Sequence, residues 1–259
     1  LASFGIIRYS LYLFEPINNL NTIYSTFLPI IYILALLSII YSSLIPLRGI
    51  YDLKKIVAYS SIVHMNFSIF GFFSKDFIGL NGSTFLIFTH AFISSALFLL
   101  VGLLYKRYHT RFLFYYQGLF LSMPLFSFFF LFFTFANISL PFCASFLSEL
   151  LILISSLHFN FFLTIILLSS LILSSSFMIW VNNRLLFGSN STYFSSSSLT
   201  NSTTLINSTN SSNSSLIGYK DLTIVELLAL IPFLLLTLFF AFFPNTLLNY
   251  FTLPLILFN

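Results

Sequence analysis

Charge is the scarcest commodity in this chain. Only 6% of its 259 residues are Asp, Glu, Lys or Arg, against about 25% in an ordinary soluble domain. A soluble core could not absorb 37 Phe and still leave a wettable surface, because large exposed apolar patches drive association. A soluble globular class is thereby excluded. One cysteine, Cys143, excludes an internal disulfide. Four histidines without Cys or Glu at ligand spacing give no zinc motif. Redox chemistry carried by this chain is not expected. The opening LASFGIIRYSLYLF has no basic stretch ahead of its apolar run, no small-residue cleavage pattern and no initial Met, so no secretory leader is expected in it. The net charge of +4 comes from basic residues scattered between apolar runs. They make no continuous basic face, so nucleic acid is not an expected partner.

What the chain has in quantity is apolar sequence: 58% hydrophobic and 20% aromatic. A hydrocarbon layer about 30 Å thick takes about 20 residues of helix, and backbone groups in lipid must be satisfied within the segment. An all-α, polytopic transmembrane bundle is the expected fold. Spans are expected at about 24–45, 56–74, 84–105, 159–183 and 222–243. The apolar run 112–157 is too long for one crossing. Pro141 interrupts it by removing a backbone donor, so a membrane helix over about 122–156, broken near Asn137–Pro141, is expected. Residues 1–14 are too short to cross and read as the second half of a helix. The tail 246–259, with Pro254 inside it, reads as interfacial. The domain reading is therefore a helical body over 1–183, a loop over 184–220, and a last span with its tail over 221–259.

Alternating helices put Arg48, Lys54, Lys55, Lys106, Arg107, Arg111, Arg184 and Lys220 on one side, with Arg8 and Lys75 on the other. Lys and Arg are enriched on the side that is not translocated. Between Arg184 and Lys220, residues 189–215 form a Ser/Asn/Thr tract without apolar periodicity, expected as a loop on the positive side. Its N-x-S/T patterns, as at Asn201 and Asn207, would be glycosylation acceptors only on the opposite face.

Three titratable residues fall well inside spans: His64, His90 and Glu149. Each costs several kcal/mol in lipid, by estimates of roughly 2.5 to above 10, and such groups usually face a polar cavity. Ser60 and Ser61 precede His64 by about one turn. Ser94 follows His90, with Thr89 adjacent. Ser145 precedes Glu149, with Ser148 adjacent. Hydroxyls at that spacing share a face with the titratable group and could hydrogen-bond it or hold water. A single histidine here also reads as a structural interhelical bond, and the Pro141 break as a plain kink. Three such groups on successive spans point to a proton path, since imidazole and a buried carboxyl can have matched proton affinities. At the head of the second span, Asp52 suits a helix N-terminus. Lys55 reads as a headgroup anchor. Lys54, on the face of Ser61, is expected to point inward and feed or bias the path.

The stretches DLKKIVAYSSIVHMNF, THAFISSALFLLVGLLYKRYHTR and LPFCASFLSEL, in this order and spacing, together resemble the mitochondrial NADH dehydrogenase subunit 4 family, the antiporter-like membrane subunits of respiratory complex I. The likeness runs over about 1–187, with a weaker match over 219–245. It implies the antiporter-like fold, here the second of two inverted repeats with its one broken helix plus flanking helices. It further implies that His64 and His90 match axis histidines, that Glu149 matches the broken-helix glutamate, and that Lys54 matches the lysine after the family's Asp-Leu pair. The implied function is a proton-translocating membrane-arm subunit of an NADH:ubiquinone oxidoreductase (a translocase) in the mitochondrial inner membrane, with the Ser/Asn-rich loop on the matrix side. NADH, FMN, iron–sulfur clusters and ubiquinone would be handled elsewhere in the complex, leaving no cofactor in this chain. Implied partners are the other membrane-arm subunits and lipids such as cardiolipin. Alternatives are a cation/proton antiporter subunit of the same superfamily, disfavoured by the high Phe, Ile, Asn and Tyr content expected of an AT-rich organelle genome, and a non-pumping structural fragment. The chain departs from the family at Ala2, Ser3, Ala91 and Ser148, where the family has glycines, and the Ser/Asn tract has no counterpart. The family's first repeat and its central lysine would precede Leu1. Either a second polypeptide supplies that half, as in a split subunit, or the sequence is part of a longer one.

Overall fold

The computed structural model describes Gly5 and residues 21–49, 51–74, 76–188 and 221–249. The expectations for 1–14, the 189–215 tract, Lys75, Lys220 and most of the tail lie outside them. The described chain is helical: α1 (Asn21–Leu47), α2 (Leu53–Phe73), α3 (Phe77–Tyr108), a 3-10 turn (Leu113–Tyr115), α4 (Leu119–Ser122), α5 (Pro124–Asn137), α6 (Ala144–Phe159), α7 (Phe161–Leu186) and α8 (Ile224–Phe242). Five of these, α1, α2, α3, α7 and α8, are long and apolar enough to cross a membrane.

Hydropathy alone places the start of the third span near 84, yet α3 begins at Phe77. Its first turns carry Gly79, Asn81, Gly82, Ser83 and Thr84, which lower hydropathy but are buried. The reason is close approach to α6. A Cβ on Gly82 would lie 2.8 Å from Leu151 Cβ and 3.0 Å from the Ser148 carbonyl oxygen. A Cβ on Gly71 of α2 would lie 2.9 Å from Ile152 Cγ1. Small residues at such seams let backbones meet where lipid offers no hydrophobic drive.

The long apolar run after α3 divides into α5 and α6, with residues 138–143 between them. At 14 and 16 residues these are about 21 and 24 Å long, each short of a crossing. Pro124 occupies the first position of α5, where its missing N–H costs nothing. Its neighbours Leu125 and Phe126 donate their backbone N–H groups to Asp221 at 3.0 and 3.1 Å, so a carboxylate from ahead of α8 caps α5.

Among the described residues, Lys54, Lys55, Arg107 and Arg111 lie at the end of the bundle where α2 begins and α3 ends. An antiparallel bridge joins Asp52 to Phe112, with Leu53 N–H on the Arg111 carbonyl at 3.1 Å and Leu113 N–H on that of Tyr51 at 2.7 Å. The start of α2 and the end of α3 therefore lie side by side. Arg107 pairs with Glu226 in the first turn of α8. The opposite end joins α2, α3 and α6: Ser155 bonds Ser74 at 2.6 Å and Asp76 at 3.4 Å.

One apolar core packs Leu97, Leu100, Phe126, Phe130, Phe133 and Phe177. A second packs Ile39, Val63, Phe67, Phe70 and Ile152.

Candidate functional site: a buried imidazole–carboxylate cluster

Helices α2, α3 and α6 bring His64, His90 and Glu149 together. All three are buried, at 3%, 5% and 6% exposure. His64 Nδ1 lies 3.1 Å from Glu149 Oε1, and the His64 and His90 ring centroids are 5.0 Å apart. The distance to Oε1 is that of an ion pair, yet His64 Nδ1 has no hydrogen-bond geometry to any partner. His90 Nε2 is likewise buried without a partner, as are both side-chain polar atoms of Asn137.

The carboxylate is held by a residue that the sequence did not single out. Ser139 Oγ donates to Glu149 Oε1 at 2.6 Å. Ser139 sits in the helix break with φ 63°, the left-handed region that glycine adopts freely and other L-residues at roughly 1–2 kcal/mol. The break has the form of a Schellman motif: Ser139 N–H donates to the Ala136 carbonyl at 3.2 Å and Leu140 N–H to that of Phe135 at 3.3 Å. Glycine is usual at the position Ser139 occupies. Pro141 follows and cannot continue the helix. Ser145, in the first turn of α6, donates to the Ala136 carbonyl at 2.6 Å and stitches the two half-helices across the break.

The serines and threonine chosen by spacing behave differently from expectation. Ser60 and Ser61 donate to the Val57 carbonyl, Thr89 to those of Phe85 and Leu86, Ser94 to that of Ala91, and Ser148 to that of Ser145. The acceptor in easiest reach of a helical hydroxyl is the carbonyl one turn back. None of them bonds the imidazoles or the carboxylate.

Lys54 is not brought to the cluster. It is exposed in the first turn of α2, ten residues and about 15 Å of helix rise from His64. Its backbone N–H bonds the Asp52 side chain at 3.1 Å, which makes Asp52 the N-cap of α2.

Chemically, the cluster can hold a proton in more than one place. Two imidazoles at this separation cannot both be charged without strong repulsion, and one imidazolium beside a carboxylate is compensated. A charge on any one of the three groups therefore bears on the other two.

Such a site, in a helical bundle with a broken helix, defines a class: polytopic membrane proteins with titratable side chains buried among their helices. Residues 1–175 match the family described as NADH:quinone oxidoreductase/Mrp antiporter, transmembrane, and the chain belongs to that family. It is 41% identical over 249 residues to the NADH-ubiquinone oxidoreductase chain 4 of Chondrus crispus, covering 96% of this chain and 45% of the relative. It thus spans about half the length of the curated relatives it matches. Among solved structures, respiratory complex I from Thermus thermophilus with bound NADH contains a chain of like fold, with TM-score 0.71 and 24% identity over 86% of this chain and 42% of the other. The Mrp complex from Dietzia sp. DQ12-45-1b contains another, with TM-score 0.71 and 16% identity over 87% and 46%.

Proposed function

We propose that the chain works as part of a proton-translocating membrane-arm subunit of an NADH:ubiquinone oxidoreductase in the mitochondrial inner membrane. The observation that carries this reading is the His64–Glu149 contact at 3.1 Å, buried and with the His90 ring centroid 5.0 Å from that of His64. A charged pair in lipid is expensive and is retained where it does work. Unpartnered buried polar atoms cost about 1–3 kcal/mol each, so His64 Nδ1, His90 Nε2 and Asn137 belong to a site that exchanges protons or takes up water rather than to inert packing.

Under this reading Glu149 and the two histidines relay protons, and a change of charge on one resets the others. Lys54 stands at the membrane surface and biases the local field there. The redox steps occur in other subunits, and this chain holds no redox group. It docks with other membrane-arm subunits, with bilayer lipids such as cardiolipin, and with the polypeptide that supplies the rest of its relatives' length, whether continuous with it or separate. The basic end and the Ser/Asn-rich tract face the matrix.

The test is Glu149→Gln in the assembled complex. Amounts of complex and NADH oxidation by its peripheral part stay near normal, while proton translocation falls at least about tenfold, the effect of losing an essential proton-transfer group. Full translocation in that variant would leave a structural fragment as the remaining reading. The likeness of fold to an Mrp complex favours a second reading, cation/proton antiport, which sodium dependence of transport in the same vesicles would reveal.

A further inference from the structure

Ser139 combines features that the relay alone does not explain. It is a buried residue in the left-handed region, at a place where glycine makes the turn more easily. Its hydroxyl is aimed across the break at the carboxylate, 2.6 Å from Oε1. That same oxygen is the one facing His64 Nδ1 at 3.1 Å. Two donors thus converge on a single oxygen, and the serine has the bond while the imidazole lacks the geometry for one.

We propose that Ser139 is a positioning residue for the relay: its hydroxyl, presented by the left-handed turn, orients the Glu149 carboxylate and controls how His64 engages Oε1. This rests on the proposed relay role of Glu149. A hydroxyl is donor and acceptor at once. It donates to Oε1 while the carboxylate is ionised. Once Glu149 carries a proton on Oε1, the hydroxyl turns about its Cβ–Oγ bond and accepts from it. Ser139 keeps its own proton throughout, so both charge states of Glu149 are served without moving the backbone. Ser145, which ties α6 to the Ala136 carbonyl, keeps the distance across the break short enough for this exchange. The titratable groups facing Glu149 are His64 of α2 and, beyond its ring, His90 of α3. Among the described residues, α5, α7 and α8 bring no charged group within ion-pair distance of it.

Ser139→Gly separates the hydroxyl from the turn, because glycine keeps the backbone and removes only the bond. In the assembled complex in native membrane vesicles, with Glu149→Gln as reference, Ser139→Gly is expected to assemble normally. It should lower proton translocation about tenfold, the lower end of the scale for one lost hydrogen bond to a charged group. The pH–rate profile should differ from that of the wild type, because a donor to the carboxylate is gone. Wild-type rate and profile in Ser139→Gly, alongside loss of translocation in Glu149→Gln, would overturn the positioning role and leave the relay standing. Full translocation in Glu149→Gln would overturn both. A second measurement needs no Ser139 variant. The infrared O–H stretching band of protonated Glu149, identified by its absence in Glu149→Gln, should lie at the frequency of a hydrogen-bonded carboxyl, since its proton is the one given to Ser139. A band at the frequency of an isolated carboxyl also overturns the inference.

Discussion

The α2–α3–α6 seam and helix α8 are held to the molecule by opposite means. The membrane window of α2 is 61% buried and that of α8 only 11%. The seam is fixed where α2 ends and α3 begins by closely approached glycines: Gly71, Gly79 and Gly82 each face atoms that leave no room for a methyl group. Helix α8 buries Leu230 and Thr237 and presents Ile224, Val225, Leu228 and Phe242 outward. Its ion pair and cap lie at one end, where Arg107 meets Glu226 and Asp221 caps α5, while Leu227, Leu230, Phe233 and Leu234 lie against the apolar core and Phe240 stacks on Phe92. Backbone proximity gives the seam a fixed geometry, as the 3.1 Å contact between His64 and Glu149 requires. Helix α8 meets the bundle through side chains on one face and leaves the other face open.

The largest break in that contrast comes from bulk at the seam. Gly82→Val drives a branched side chain into Leu151 Cβ and the Ser148 carbonyl, and the carbonyl cannot rotate away. Overpacking of this kind costs about 1–3 kcal/mol or more, and here it also moves Glu149, next to Ser148, away from His64. The assembled complex seen on native gels should fall to a small fraction of normal. Leu228→Val on the outward face of α8, where Leu228 is 63% exposed, should leave it unchanged, since surface substitutions stay within about 0.5 kcal/mol. Equal losses in the two variants would erase the distinction.

Removing the end attachment comes next. Arg107 and Glu226 have side chains only 16% and 17% exposed, so Arg107→Ala leaves a partly buried carboxylate without its cation. The cost is about 1–3 kcal/mol. Glu226 still bonds the Thr223 backbone N–H at 2.8 Å, and its capping box keeps the first turn of α8 formed. The prediction is therefore looser docking of an intact helix. A cysteine placed at buried Leu230 should react severalfold faster with a membrane-permeant maleimide when Arg107 is also Ala. Unchanged labelling would mean that apolar contacts alone hold α8.

How far the sequence shows these two regions depends on the kind of force involved. Lipid imposes a length and a composition on every span, so helices such as α2 and α7 stand out from apolar runs. His64, His90 and Glu149 stand out for the same reason, being titratable groups where lipid penalises charge. Ser139 does not, because one serine in an interrupted apolar stretch has no periodicity to mark it. The nearest available signal was a serine two residues before Pro141, at the glycine position of a helix ending. Spacing places the serines on the faces of His64 and His90 but does not fix the acceptor of each hydroxyl, which is the carbonyl of its own helix. For Lys54, helical spacing gives a face and says nothing of depth. Asp221 and Glu226 act on α5 and α3, remote in sequence, and no local pattern announces a contact of that range.

The smallest effect belongs to the end of α2, where seam and electrostatics meet. Asp52 caps the helix through the Lys54 N–H at 3.1 Å and also pairs through its backbone with Phe112. Asp52→Ala removes the cap and the favourable charge at the helix N-terminus but leaves the backbone bridge and the buried Leu53 and Ile56 in place. The expected loss is about 1 kcal/mol, read as a fall of a few degrees in the melting of the complex with proton translocation unchanged. Asp52→Asn should lose less than half of that, since an amide oxygen caps nearly as well. A fall in translocation in the Asn variant, with stability intact, would show that the charge of Asp52 acts on the relay through the field at the head of α2, and would draw the boundary of the site out to the membrane surface.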